Sequence, residues 1–214
     1  MMTPLVFHRW NSVFLGMFIV LHFATHLTGV LGIQAYNDMQ NALRGVYRNP
    51  IVEPVLLFSV VLQIGIGLLL LIRKTRRGLH GRWAYTQVIS GFIVLVFLTQ
   101  HLSALALARW IDGLDTNFYW PASVMSGPPF IWYFLPYYFL GIVALFIHLG
   151  CGVRLALLRS GHRHYAATGF WGLTGLGLAM AVIINLTLMG AFFEIDLPAV
   201  WITYLQGFVA GYTQ

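Results

Sequence analysis

Residues 55–72 read VLLFSVVLQIGIGLLLLI, and residues 73–77, which follow at once, read RKTRR. At about 1.5 Å of helical rise per residue, an uncharged run of this length matches a hydrocarbon layer of roughly 30 Å. The basic run that ends it marks a membrane surface. Four further uncharged stretches of similar reach flank this one: Asn11–Ile33, Gln87–Ala108, Ile131–Val153 and Tyr165–Phe193. The chain is 59% hydrophobic and 8% charged, against about 25% charged in an ordinary soluble domain. A soluble protein of that composition lacks the polar groups to cover its surface, so the bilayer has to act as solvent. The expectation is an all-α integral membrane protein in which residues 1–214 form one bundle of five transmembrane helices.

Smaller features refine this picture. Arg9 is followed by a long apolar run with no small-residue cleavage pattern, so no cleavable leader is expected. The single cysteine, Cys151, excludes an internal disulfide and a CxxCH haem attachment site. Pro136, early in the fourth span, is expected to kink or delay that helix. Gly169, Gly172, Gly175 and Gly177 in the fifth span suit close helix packing in lipid. Between spans, residues 34–49 (QAYNDMQNALRGVYRN) read as a short amphipathic helix ended by Pro50. Residues 113–129, rich in Pro, Trp and Tyr, read as an interfacial cap.

The net charge of +6 points to topology and not to a nucleic-acid partner. Arg9, Arg73, Lys74, Arg76, Arg77, Arg82, Arg154, Arg159 and Arg163 fall on one side of the five spans, with no acid among them. All six acids, Asp38, Glu53, Asp112, Asp115, Glu194 and Asp196, fall on the other, with Arg44, Arg48 and Arg109. Because positive loops stay in the cytoplasm, the N-terminus is expected inside, in a bacterial cytoplasmic membrane.

Polar groups inside spans are costly and usually mark function. Of eight histidines, His8, His80, His162 and His164 are expected at or near the inner surface, facing water or headgroups, while His22, His26, His101 and His148 lie within spans. A buried imidazole suits haem iron; equally, a lone intramembrane histidine is often a hydrogen-bonded core residue. Counting from the span ends puts His26 and His101 at matching outer depth on different helices, where two ligands clamp one haem. His148 lies in the inner half of the fourth span. His22, one turn from His26, is expected to bond a haem propionate or a neighbouring helix.

An internal likeness supports the pairing. Thr25-His26-Leu27-Thr28 parallels Gln100-His101-Leu102-Ser103, and Gln63-Ile-Gly65-Ile-Gly67 parallels His148-Leu-Gly150-Cys-Gly152. The first helix pair thus looks like the second. That alignment matches His148 with Gln63, a poor haem ligand.

Across all five spans the chain resembles the cytochrome b membrane-anchor subunit of succinate dehydrogenase and quinol:fumarate reductase, in its single-polypeptide, five-helix form. The likeness rests on His26–Gly29, on the Tyr36–Glu53 segment with Pro54 opening span two, on His101, and on His148–Gly152. It implies an electron-transfer subunit, inactive alone, with flavoprotein and iron–sulfur partners docked on the basic inner face and with quinone as substrate. It also implies two b haems ligated by a histidine from each of the first four helices: His26 and His101 for the outer one, His148 for the inner one. The second-helix position is Gln63. The chain then holds either one haem, or an inner haem that is five-coordinate or uses another partner, such as His22.

Further site residues follow from this resemblance. Arg73, Arg82 and Arg154 are candidates to hold inner propionates or quinone, with Trp83 and Tyr85 as a quinone slot. For the proton that quinone chemistry needs, Glu53, with Asp38 behind it, is the candidate. Plainer readings stand beside these: interfacial aromatics, lipid contact for the basic run, and an acid favouring a helix N-terminus for Glu53. Two other functions remain open, a different quinol-reactive b-type cytochrome and a haem-free anchor or carrier.

Overall fold

The computed structural model describes residues 3–213. It is all-helical, with no strand among the described residues. The helices are α1 (Pro4–Thr28), α2 (Ile33–Tyr47), α3 (Val52–Arg76), α4 (Arg82–Ala106), α5 (Tyr119–Ser123), α6 (Phe130–Arg159), α7 (Tyr165–Leu188) and α8 (Ala199–Gln206). Five of them are long and apolar enough to cross a membrane: α1 with its terminal turn to Leu31, α3, α4 with its wide terminal turn to Ile111, α6 and α7. This is the architecture of a multi-pass membrane protein.

Every long helix except α7 is longer than its apolar run at both ends or nearly so. α1 starts at Pro4, the first-turn proline, where Thr3 Oγ1 accepts from Val6 N–H. α3 continues through Arg73, Lys74 and Arg76, because long basic side chains keep their stems in the helix and their heads in water. It is therefore as long as α1. α6 begins at Phe130 and carries Pro136 inside it, so the proline does not delay the start. α7 stops at Leu188 instead of Phe193: Gly190 has φ +78°, a left-handed conformation that ends a helix.

The chain order places the starts of α1, α4 and α7 and the ends of α3 and α6 together at a basic end, and the six acids at the opposite, acidic end. Around the bundle, α1 packs on α3, α3 on α4, α4 on α6, and α6 most extensively on α7, which closes back on α1. Glycine explains the α6–α7 contact. A side chain at Gly177 would run into Phe146, and one at Gly150 would stand 3.1 Å from Phe170. Gly169 likewise faces Leu157 and Val153, whereas Gly172 and Gly175 face open space.

The apolar core lies toward the acidic end. Phe23 of α1, Tyr36 of α2, Phe118, Ala122 and Met125 around α5, Ile142 and Phe146 of α6, and Met180, Ile184 and Leu188 of α7 form one buried cluster. Residues 113–129 are thus more than an interfacial cap, since Phe118, Ser123 and Met125 are almost wholly excluded from solvent. The amphipathic α2 holds that segment down. Asn37 Oδ1 accepts from Phe118 N–H at 3.1 Å, Gln40 donates to the Thr116 carbonyl at 3.1 Å, and Arg44 pairs with Asp115 at 2.9 Å.

Candidate functional site

Three histidines converge in the acidic half. His22 and His26, one turn apart on α1, have ring centres 4.8 Å apart. His101 of α4 reaches across to His22 with ring centres 6.1 Å apart, although α1 and α4 do not pack against each other. Two imidazoles clamping one metal at about 2 Å each stand with ring centres roughly 6 Å apart. His101 and one of the two α1 histidines are the residues that would hold a haem here, and it would supply a one-electron carrier. His26 adds a buried Nδ1 with no hydrogen-bond partner among the described residues, the state in which a buried polar atom calls for a ligand. Sequence reasoning paired His26 with His101 and gave His22 a supporting part; the structure brings all three together and sets His22 directly across from His101.

Aromatic rings hold these imidazoles. Phe18 stacks on His22 at 5.5 Å and Phe97 on His101 at 5.7 Å, Tyr36 meets His26 edge-on at 5.4 Å, and Trp120 tilts over His101. Burial pushes the Tyr36 phenol well above the usual tyrosine range, so it keeps its proton. Beside His101 opens a cavity of about 350 Å³, lined by Gln100, Trp120, Tyr133, Tyr137 and Tyr138. Tyr133 donates to Gln100 Oε1 at 2.8 Å and Tyr137 to the Phe97 carbonyl at 3.0 Å. Sequence reasoning missed these tyrosines. Their signal was the i, i+4 spacing of Tyr133 and Tyr137, hidden in a run aromatic on every face.

The basic half is built differently. Gln63 of α3 accepts from Asn11 Nδ2 at 2.8 Å and donates to Ser12 Oγ at 2.7 Å and to the His8 carbonyl at 3.3 Å. Asn11 also donates to the Ser59 carbonyl. Gln63 is thus the centre of a polar joint between α1 and α3. His8 is half-buried at this joint and not a solvated surface residue, because α1 begins at Pro4 and presses its first turns against Gln63 and Gly67. His148 of α6 rests over Gly91 of α4, where a Cβ would stand 2.8 Å from its ring, and its Nδ1 lies 3.4 Å from Ser90 Oγ.

Near the basic surface, Arg154 stacks over Trp83 at 3.8 Å, and a cavity of about 250 Å³ is lined by Lys74, Trp83, Gln87, Cys151 and Arg154. Two of the residues singled out in the sequence, Trp83 and Arg154, therefore share one pocket, while Arg73 and Tyr85 are exposed outside it. At the other end, Glu53 is engaged in a two-pronged ion pair with Arg109. Asp38 is exposed and accepts from Gln34 at 2.7 Å.

Among the described residues no three His, Cys, Asp or Glu side chains are arranged to hold a bare metal ion. A haem asks less of the protein, since the porphyrin supplies four ligands and the chain one or two. No family model matches the chain, and neither does any curated protein or solved structure.

Proposed function

We propose that this chain is the haem-carrying, quinone-reactive membrane anchor of a succinate:quinone oxidoreductase, working in either direction between succinate and quinone. The observation that carries the reading is the cluster of His22, His26 and His101 across the unpacked gap between α1 and α4. In this reading His101 and one of the two α1 histidines hold a b haem, and the remaining one packs against it. When bound, the haem supplies a one-electron carrier part-way across the membrane.

The protein's own groups do the rest. Phe18, Phe97, Tyr36 and Trp120 fix the imidazole planes and exclude water from the ligand atoms. A quinone needs a flat apolar slot and donors for its carbonyl oxygens. The pocket at Trp83 has both, with Lys74 and Arg154 as cationic donors and Gln87 as an amide. Lys74, already donating to Gln87 Oε1, is suited to pass a proton to reduced quinone. Glu53, closed by Arg109, is the less accessible donor. The basic end faces the cytoplasm in this reading and receives the flavoprotein and iron–sulfur subunits, with anionic lipid around it.

The test is a reduced-minus-oxidised spectrum of the purified chain, followed by a pyridine haemochrome assay against protein. A b-type α band supports the reading. Its absence from folded protein supports a haem-free anchor whose histidines only hydrogen-bond.

A further inference from the structure

The inner face of α2 repeats at helical spacing, with Tyr36, Gln40, Arg44 and Tyr47 on one side of it. Both ends of this face rest on the rings of the histidine cluster. Tyr36 meets His26 with ring centres 5.4 Å apart. Tyr47 meets Phe18 edge-on at 5.5 Å, and Phe18 stacks on His22. α2 therefore lies across the acidic end of the cluster, and Arg44 sits between the two contacts. Gln40, also between them, is held by its bond to the Thr116 carbonyl.

Arg44 is bonded on one side only. Its Nη1 reaches Asp115 at 2.9 Å and Asn41 at 3.4 Å. Its Nε and Nη2 are buried with no hydrogen-bond partner among the described residues. These two are the parallel donors of the guanidinium fork, the edge that grips both oxygens of a carboxylate. The Tyr47 hydroxyl lies alongside, but one neutral oxygen supplies neither the second bond nor a countercharge. Countercharge is short here as well. Arg44 and Arg48 share Asp115, at 2.9 and 4.0 Å, and that carboxylate is itself 56% exposed. Glu53 is taken by Arg109. A guanidinium with 11% of its side chain exposed and one edge unpaired is costly to bury. The empty edge is shaped for one more carboxylate.

Resting on the function proposed above, we infer that Arg44 binds a propionate carboxylate of the haem held at His101, with Arg48 as a second cation beside it. Asp115 is a positioning residue, holding Arg44 from its outer side so that the free edge stays inward. The amphipathic segment between the first two spans thus completes the haem site as well as covering it.

The test is a redox titration of the purified full chain, following the signal that His101→Ala removes. A cation held against a haem edge favours the reduced form, so its loss lowers the midpoint potential. Arg44→Gln is expected to lower that midpoint and the haem occupancy, and Arg44→Lys, which keeps the charge, to restore most of the midpoint. Asp115→Asn removes the opposing charge and should raise it. Loosening of the 113–129 segment would move both variants the same way, so a merely structural role for Arg44 does not predict shifts of opposite sign. If Arg44→Gln does not fold or loses its haem, Arg48→Gln reads the same site, with a smaller fall expected. An unchanged midpoint in the variant so measured, or shifts of one sign in it and in Asp115→Asn, overturns the inference and leaves the anchor reading intact. Folded wild-type protein with no haem removes the anchor reading itself.

Discussion

The two halves of the bundle are stabilised by different means. At the acidic end, aromatic and aliphatic side chains from α1, α2, α5, α6 and α7 form one core, and His22, His26 and His101 are set into its edge. At the basic end the helices are joined by polar contacts, with Asn11, Ser12 and Gln63 tying α1 to α3 and Arg154 lying over Trp83. Core packing fixes ring orientation without committing a lone pair. A polar joint positions one residue through the hydrogen bonds of another and is more sensitive to a single substitution. The acidic half should therefore respond to volume changes and the basic half to changes of hydrogen-bonding capacity.

Substitutions that separate the halves follow, in descending order of effect. On the proposed function, His101→Ala should abolish the haem signal of the acidic half while leaving any signal dependent on His148; joint loss of both would break the division, and low-temperature difference spectra would show it. Phe118→Ala removes a ring fully enclosed by the core and should cost about 3–5 kcal/mol, measured as denaturant unfolding in detergent. Gly177→Val drives a side chain into Phe146 and should cost roughly 1–3 kcal/mol by overpacking, read in the same assay.

Gln63→Leu takes one partner each from Asn11 and Ser12, which keep their bonds to the Ser59 and His8 carbonyls, and should cost about 1 kcal/mol. It sharpens the comparison only if spectral changes stay in the basic half. The smallest effect belongs to Arg109→Gln. Its ion pair with Glu53 is partly exposed, so the expected loss is at most about 1 kcal/mol and shrinks in high salt.

Much of this architecture was legible in the sequence, for a simple reason. A span announces itself by composition over some twenty residues, and depth follows by counting from charged ends. Hence the five spans, the helical 34–49 segment and the matching depth of His26 and His101 could be read directly. Rotation about a helix axis could not. Whether His22 or His26 faces His101 turns on the phase of a helix whose neighbours are all apolar. His8 was read as solvated because Arg9 beside it suggested a surface; Arg9 is indeed exposed, but the helix starts at Pro4 and turns His8 toward Gln63 and Gly67. Phe118 and Met125 looked interfacial because loops usually are; the α2 side chains that pin this loop lie some eighty residues away in sequence.

The Asn11–Gln63 bond also bears on how the chain enters the bilayer. An asparagine and a glutamine carried singly into hydrocarbon each oppose insertion. Bonded to each other they cancel most of that penalty. α1 and α3 are thus better partitioned as a hairpin than one at a time, with α2 folded at its closed end. The first two spans would reach the lipid already joined, and α4 and α6 would then be laid against a finished surface.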